Sequence, residues 1–189
     1  MKKIYSIALM ACSVVGLSSC LKDEYLYDYD NQTPVIEFMV SDGNTKGVTV
    51  TEKAPNPTLE FFVNYSISEW QNIKQDITVT VSIDNTLTKN PLLPAEAYTI
   101  DTESYAKTAS NMTFPIEMVI PAAEKQDTSV RTWWNNHRNT RGVLNITNPD
   151  ALEKGVTYAL PMKITGVNPQ VTVISGNFGH QIITVTKNY

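Results

Sequence analysis

The chain has 189 residues, two cysteines and a net charge of -4 from 15 basic and 19 acidic side chains. An acidic chain without a basic run argues against nucleic acid and anionic lipid headgroups as partners. Two cysteines allow one disulfide at most, so the fold has to rest on an apolar core.

In chain order, Lys2 and Lys3 precede the apolar run Ile4 to Val15, IYSIALMACSVV. That run has signal-peptide length and is too short for a spanning helix of about 20 residues. It ends in Leu17-Ser18-Ser19-Cys20 rather than in an A-x-A site. The ending resembles a bacterial lipobox, whose cysteine takes diacylglycerol and becomes the first residue after cleavage. An ordinary secretory signal with an incidental cysteine is the alternative. On the lipobox reading, Cys20 is the lipidation site and carries two or three acyl chains such as palmitate. Two chains already hold a protein stably to a membrane. Cys12 leaves with the signal, so no thiol and no disulfide remain. Loss of Lys2 and Lys3 takes the charge from -4 to -6.

Leu21 stands where an aspartate would resemble an inner-membrane retention signal. Lys22-Asp23-Glu24 resembles the export signal of Bacteroidota lipoproteins, which implies an outer-membrane protein facing the cell exterior. A plain solvated tether is the other reading. The expected organisation is a lipoprotein signal peptide over 1-19, a lipidated acidic tether over 20-33 and a β-sandwich domain over 34-189. Asp28 and Asp30 in the tether match no complete calcium loop.

From Pro34 the apolar residues recur at period two, the pattern of half-buried strands. Strands are expected over Val35 to Val40, Gly47 to Glu52, Leu59 to Ile67 and Ile77 to Ile83. A further apolar set runs from Met112 through Phe114, Ile116 and Met118 to Ile120, with Pro115 marking an edge or a bulge. Val143 to Thr147 reads as a short strand, and Asn148 to Gly155 as a helical turn with proline near its start. Val156 to Thr165 is another strand. Val171 to Ser175 and Gln181 to Lys187 flank Gly176-Asn177-Phe178-Gly179-His180 as a hairpin. About eight strands and almost no helix predict an all-β fold, an antiparallel two-sheet immunoglobulin-like sandwich.

NPLLPAEAYTI (Asn90 to Ile100), IEMVIPA (Ile116 to Ala122) and YALPMKITGV (Tyr158 to Val167) follow one another along the chain. In that order they resemble a domain of unknown function from Bacteroidota surface lipoproteins. The matching residues are Leu93, Pro94 and Tyr98, then Ile120 and Pro121, then Tyr158, Leu160 and Pro161. In that family the domain follows a lipid anchor and often precedes a chitinase-like or laminin-G-like domain. Its genes often lie beside SusC/SusD-type glycan-uptake pairs. The resemblance implies a sandwich with a glycan-related role and a SusC/SusD-type outer-membrane partner. Ala122-Ala123 stand where the family shows a glycine, and a long stretch from Ala123 to Gly142 is also unlike it. No second domain is expected after the sandwich, so the resemblance implies no glycosidase activity. Taken as residues, the prolines suit strand entries or edges, and Tyr98 and Tyr158 suit core positions with bonded hydroxyls.

Chemistry is sparse. His137 and His180 have no ligand partner at helical or hairpin spacing, so no metal and no cofactor are expected. No G-x-S-x-G, H-E-x-x-H or glycine-rich phosphate loop is present. A non-enzyme is expected. The local oddity is Trp133-Trp134-Asn135-Asn136-His137-Arg138. Indole faces pack on sugar C–H surfaces, and Asn, His and Arg bond hydroxyls, so this loop is the candidate oligosaccharide site, with Trp70 as a further platform. Capping of the sandwich edge is the competing use of the tryptophans. The expected function is a cell-surface binding or accessory module of a glycan-utilisation system, with a fimbrillin-like or adhesion subunit as the alternative.

Overall fold

A computed structural model describes residues 33-40, 43-67, 69-104, 108-126, 138-170 and 172-189. Eleven strands among them form two facing sheets. They are β1 (Val35–Phe38), β2 (Thr45–Val50), β3 (Thr58–Ser66), β4 (Ile77–Ile83), β5 (Tyr98–Glu103), β6 (Thr108–Met112), β7 (Ile116–Ile120), β8 (Asn139–Ile146), β9 (Thr157–Asn168), β10 (Val173–Ile174) and β11 (His180–Lys187). One sheet has the order β10-β1-β3-β8-β5-β6, the other β2-β11-β9-β4-β7. The helical elements among the described residues are 3-10 turns of three residues each.

Alternation decides which side chains meet between the sheets. Ile36, Phe38, Phe61, Val63, Ile100 and Leu144 of the first sheet are wholly or almost wholly buried. Ile77, Val79, Val81, Met118, Met162 and Ile183 answer them from the second. Each such side chain contributes roughly 1.5–3 kcal/mol by leaving water. The Phe38 and Phe61 rings lie 6.4 Å apart at a tilt of 55°. Phe61 rests over Gly142 on β8, where an added Cβ would fall 2.1 Å from the ring.

The sandwich agrees with the sequence reading, and four details differ. Two strand pairs are parallel, β1 with β10 and β2 with β11, because the first two strands meet the last two, one pair in each sheet. The apolar set from Met112 to Ile120 is not one strand. It breaks at Pro115, and β6 and β7 are edge strands of opposite sheets. The expected hairpin around residues 176-180 is absent. Val173 N–H and Ser175 N–H donate to Pro34 and Ile36 carbonyls, so β10 joins β1 while β11 lies between β2 and β9. The intervening loop therefore crosses between sheets. Finally, Pro161 lies inside the central strand β9. Its carbonyl accepts from Asp84 N–H at 2.9 Å. In an extended strand the nitrogen faces the same side, and there β4 has just ended at Ile83, so the missing donor breaks no ladder.

Pro94 does open a turn, Ala95–Ala97, ahead of β5. Tyr158 is buried and its hydroxyl accepts from Glu153 N–H at 3.2 Å, five residues upstream. That is the local arrangement of a tyrosine corner in immunoglobulin-like sandwiches.

Candidate functional site

Cys20 and the residues Trp133, Trp134, Asn135, Asn136 and His137 lie outside the described residues. Trp70 opens the 3-10 turn Trp70–Asn72 and packs partly against the core. That turn is tied to a second one, Ala123–Lys125, by Ala123 N–H donating to Ile73 O at 2.8 Å. Asp76 accepts from Ala122 N–H and from Lys125 Nζ, both at 2.9 Å. The Ala122 N–H holds its carboxyl below the usual range; burial opposes this, and the Lys125 ammonium adds to the lowering. Arg138 enters β8 beside Tyr65, whose N–H donates to the Arg138 carbonyl at 2.9 Å. Trp70 thus lies beside the turn that leads towards residues 127-137.

The outward face of the larger sheet carries a second set of groups. Glu60, Phe62 and Asn64 on β3 alternate with the core residues and point away from them. Arg141 on β8, opposite Phe62, bonds Glu60 Oε1 at 2.6 Å and also Glu103 on β5. Asp101 accepts from Asn145 Nδ2 at 2.9 Å. These carboxylates are engaged by cations and amides, which suits a structural role better than acid–base chemistry. Among the described residues no three His, Cys, Asp or Glu side chains come together as a metal site.

Where β1 ends, this face dips into a groove of about 520 Å³. Phe62 and Asn64 lie along it, with Glu37, Phe38, Met39 and Val40 on one side and Lys46 and Phe178 closing it. The volume is that of a small-ligand site. Met39 and Phe178 are each 40% exposed, unusual for large apolar side chains in this molecule.

Phe178 is firmly placed. Its carbonyl accepts from Phe38 N–H at 2.8 Å, and its own N–H donates to Ser175 Oγ at 3.1 Å. Ile164 N–H bonds Gly179 O at 2.9 Å, and Asn44 Nδ2 bonds Asn177 O at 2.8 Å. A Cβ on Gly179 would fall 2.4 Å from Ser175 O, so the loop leaves room only for glycine there. Lys46 reaches from edge strand β2 across the open side of β3. Its Nζ donates to Glu60 O at 3.4 Å and sits 5.8 Å from the Phe62 ring centre. Burial pushes the Lys46 ammonium pKa down, and the Glu60 charge offsets part of that.

The groove was not found by sequence reasoning. One signal existed: Phe62 sits in the outward register between Glu60 and Asn64, where a solvated strand would carry a polar residue. Phe178 carried none, because it reads as a turn residue.

Among solved structures, the chain is similar to a two-domain protein of unknown function from Bacteroides fragilis. The TM-score is 0.54 at 13% identity, over 88% of this chain and 50% of that one. It also matches EndoBT-3987 of Bacteroides thetaiotaomicron, solved with a Man5GlcNAc product, at a TM-score of 0.43, 18% identity, and 76% and 28% coverage. CfaE, the adhesive subunit of CFA/I fimbria of enterotoxigenic Escherichia coli, matches at 0.47, 17% identity, and 83% and 49% coverage. The chain spans half or less of each of these proteins. At such identities the first match speaks for the fold alone. No curated protein matches the chain. A family model described as a "-like, N-terminal domain" matches residues 29-171, more than half of the sequence, and the chain belongs to that family of N-terminal domains.

Proposed function

We propose that this protein is a non-catalytic binding or accessory module of a glycan-utilisation system, anchored at the cell surface through a lipid on Cys20. An oligosaccharide is its ligand and a SusC/SusD-type outer-membrane complex its neighbour. The observation that carries the binding role is Phe178, an exposed aromatic residue in the lining of a groove, with its backbone held by hydrogen bonds. Asn64, Glu37 and Lys46 supply donors and acceptors beside it. A loop whose backbone is already held has less to order on binding, and an aromatic side chain on it makes a good anchor. The acyl anchor and the acidic tether rest on the sequence of residues 1-33, and the uptake system rests on the family resemblance.

A glycan array probed with the soluble domain, residues 22-189, tests the ligand. Binding to at least one glycan, weakened roughly tenfold or more by Phe178→Ala with an unchanged melting temperature, supports the reading. Polymerisation of the domain without any glycan binding would instead favour a fimbrial or adhesion subunit.

A further inference from the structure

We infer that the groove beside β1 selects an acidic saccharide, whose sugar carboxylate pairs with the Lys46 ammonium. This deepens the reading of the groove as a saccharide site and rests on it.

Lys46 is partly buried in the groove wall, and among the described residues its ammonium has no carboxylate in direct contact. Its contacts are a backbone carbonyl at 3.4 Å and the edge of a cation–π range at 5.8 Å. The nearby Glu60 carboxylate bonds Arg141, which also bonds Glu103, and it offsets part of the Lys46 burial without contacting the ammonium. Removing a cation from water without a counter-charge is costly, and an anion delivered by a ligand recovers that cost. An ammonium in a half-dry groove also attracts an anion more strongly than one in open solvent.

The polar groups are also separated along the groove. Glu37 pairs in register with Asn64, whereas Lys46 bonds the carbonyl of Glu60, four residues along β3. At roughly 3.3 Å per residue those points are about 13 Å apart. One end therefore offers acceptors, which suit sugar hydroxyls and repel anions. The other offers a cation. Phe178 and Met39 supply the apolar surface. A uronic-acid-containing oligosaccharide of two or three rings complements all three, with its carboxylate at the Lys46 end and its neutral hydroxyls at the Glu37 end.

The test uses the full-length chain in mild detergent and matched pairs of polysaccharides: polygalacturonate, alginate, hyaluronate and glucuronoxylan, each beside its carboxyl-reduced form. Affinity electrophoresis and titration calorimetry read the binding. At least one acidic form should bind tenfold or more tighter than its reduced partner, and 0.5 M salt should shrink that preference. Lys46→Met should abolish the preference, Lys46→Arg should keep it, and Phe178→Ala should weaken both forms alike. Equal binding of acidic and reduced forms, or a preference that survives Lys46→Met, overturns the inference while the saccharide reading stands. Binding of neither form by the folded wild-type chain overturns both.

Discussion

Gly142→Ala is the sharpest probe of the packing. A Cβ at that position would lie 2.1, 2.4 and 2.6 Å from three carbons of the Phe61 ring. Those distances are about 1 Å or more inside the roughly 3.5 Å at which carbon atoms rest in contact. Phe61 is fully buried and is flanked by Phe38, so the ring has no free volume to move into. Overpacking of this kind costs about 1–3 kcal/mol, and the depth of the overlap places Gly142→Ala near 2–3 kcal/mol. For a domain of this size that is a fall in Tm of about 5–10 °C. Urea denaturation of the soluble domain, followed by circular dichroism, measures it. Phe61→Leu shortens the obstructing side chain, so the double variant should lose less than the sum of the singles by about 1 kcal/mol. A Gly142→Ala protein within 0.5 kcal/mol of wild type, or strict additivity with Phe61→Leu, would refute the reasoning.

Gln181 is fully buried on β11, and its side-chain amide has no protein partner among the described residues, so Gln181→Met should raise stability by about 1–3 kcal/mol. A lower urea midpoint for the variant would show that the amide is satisfied. The Thr86 hydroxyl, with the Lys163 ammonium and the Thr86 N–H, holds the Asp84 carboxyl down to about 2, from an ordinary value near 3.8. A depressed carboxylate stabilises the fold above its unfolded value and loses that contribution as pH falls through the folded one. The stability gap between wild type and Asp84→Asn should therefore be constant above about pH 5 and close between pH 4 and 2, as urea midpoints across that range would show. Cys20→Ala should abolish palmitate labelling of the protein in cells; retained label would remove the proposed anchor. Trp133→Ala and Trp134→Ala separate two uses of the indoles. Loss of glycan binding by about 2 kcal/mol with an intact fold marks a ligand contact, and a stability loss of about 3–5 kcal/mol marks a structural cap.

The core was legible wherever one face of a strand is buried and the other is wet. Ile77, Val79 and Val81 against Thr78, Thr80 and Ser82 give β4 directly. β5 and β6 were not legible as strands. In Tyr98–Glu103 and Thr108–Met112 threonine, asparagine and acidic residues dilute the alternation, and β6 lies at an edge with little to bury. Apolar spacing also cannot say which sheet a residue joins. Met112 and Ile120 keep one period of two across Pro115 although they belong to opposite sheets. The groove was the least legible feature because its residues come from positions 37-40, 46, 62, 64 and 178. No local pattern links them; only the parallel meeting of β1 with β10 and of β2 with β11 does. The two tryptophans drew notice as a local pair, whereas Phe62 and Phe178 look ordinary until the register is known.

The position of β11 has a consequence for biosynthesis. Among the described residues β2 pairs in the smaller sheet with β11 alone, and the two strands are linked through residues 138 positions apart. A ribosome makes β2 early and β11 after every other strand of the sandwich. Until residues 180-187 emerge, β2 has no ladder to join and β9 keeps one edge open. Closure of such distant pairs is slow compared with local contacts. The smaller sheet therefore cannot be completed before residues 180-187 have been made. The same delay leaves the edges of β2 and β9 open to pairing with other chains until β11 is in place.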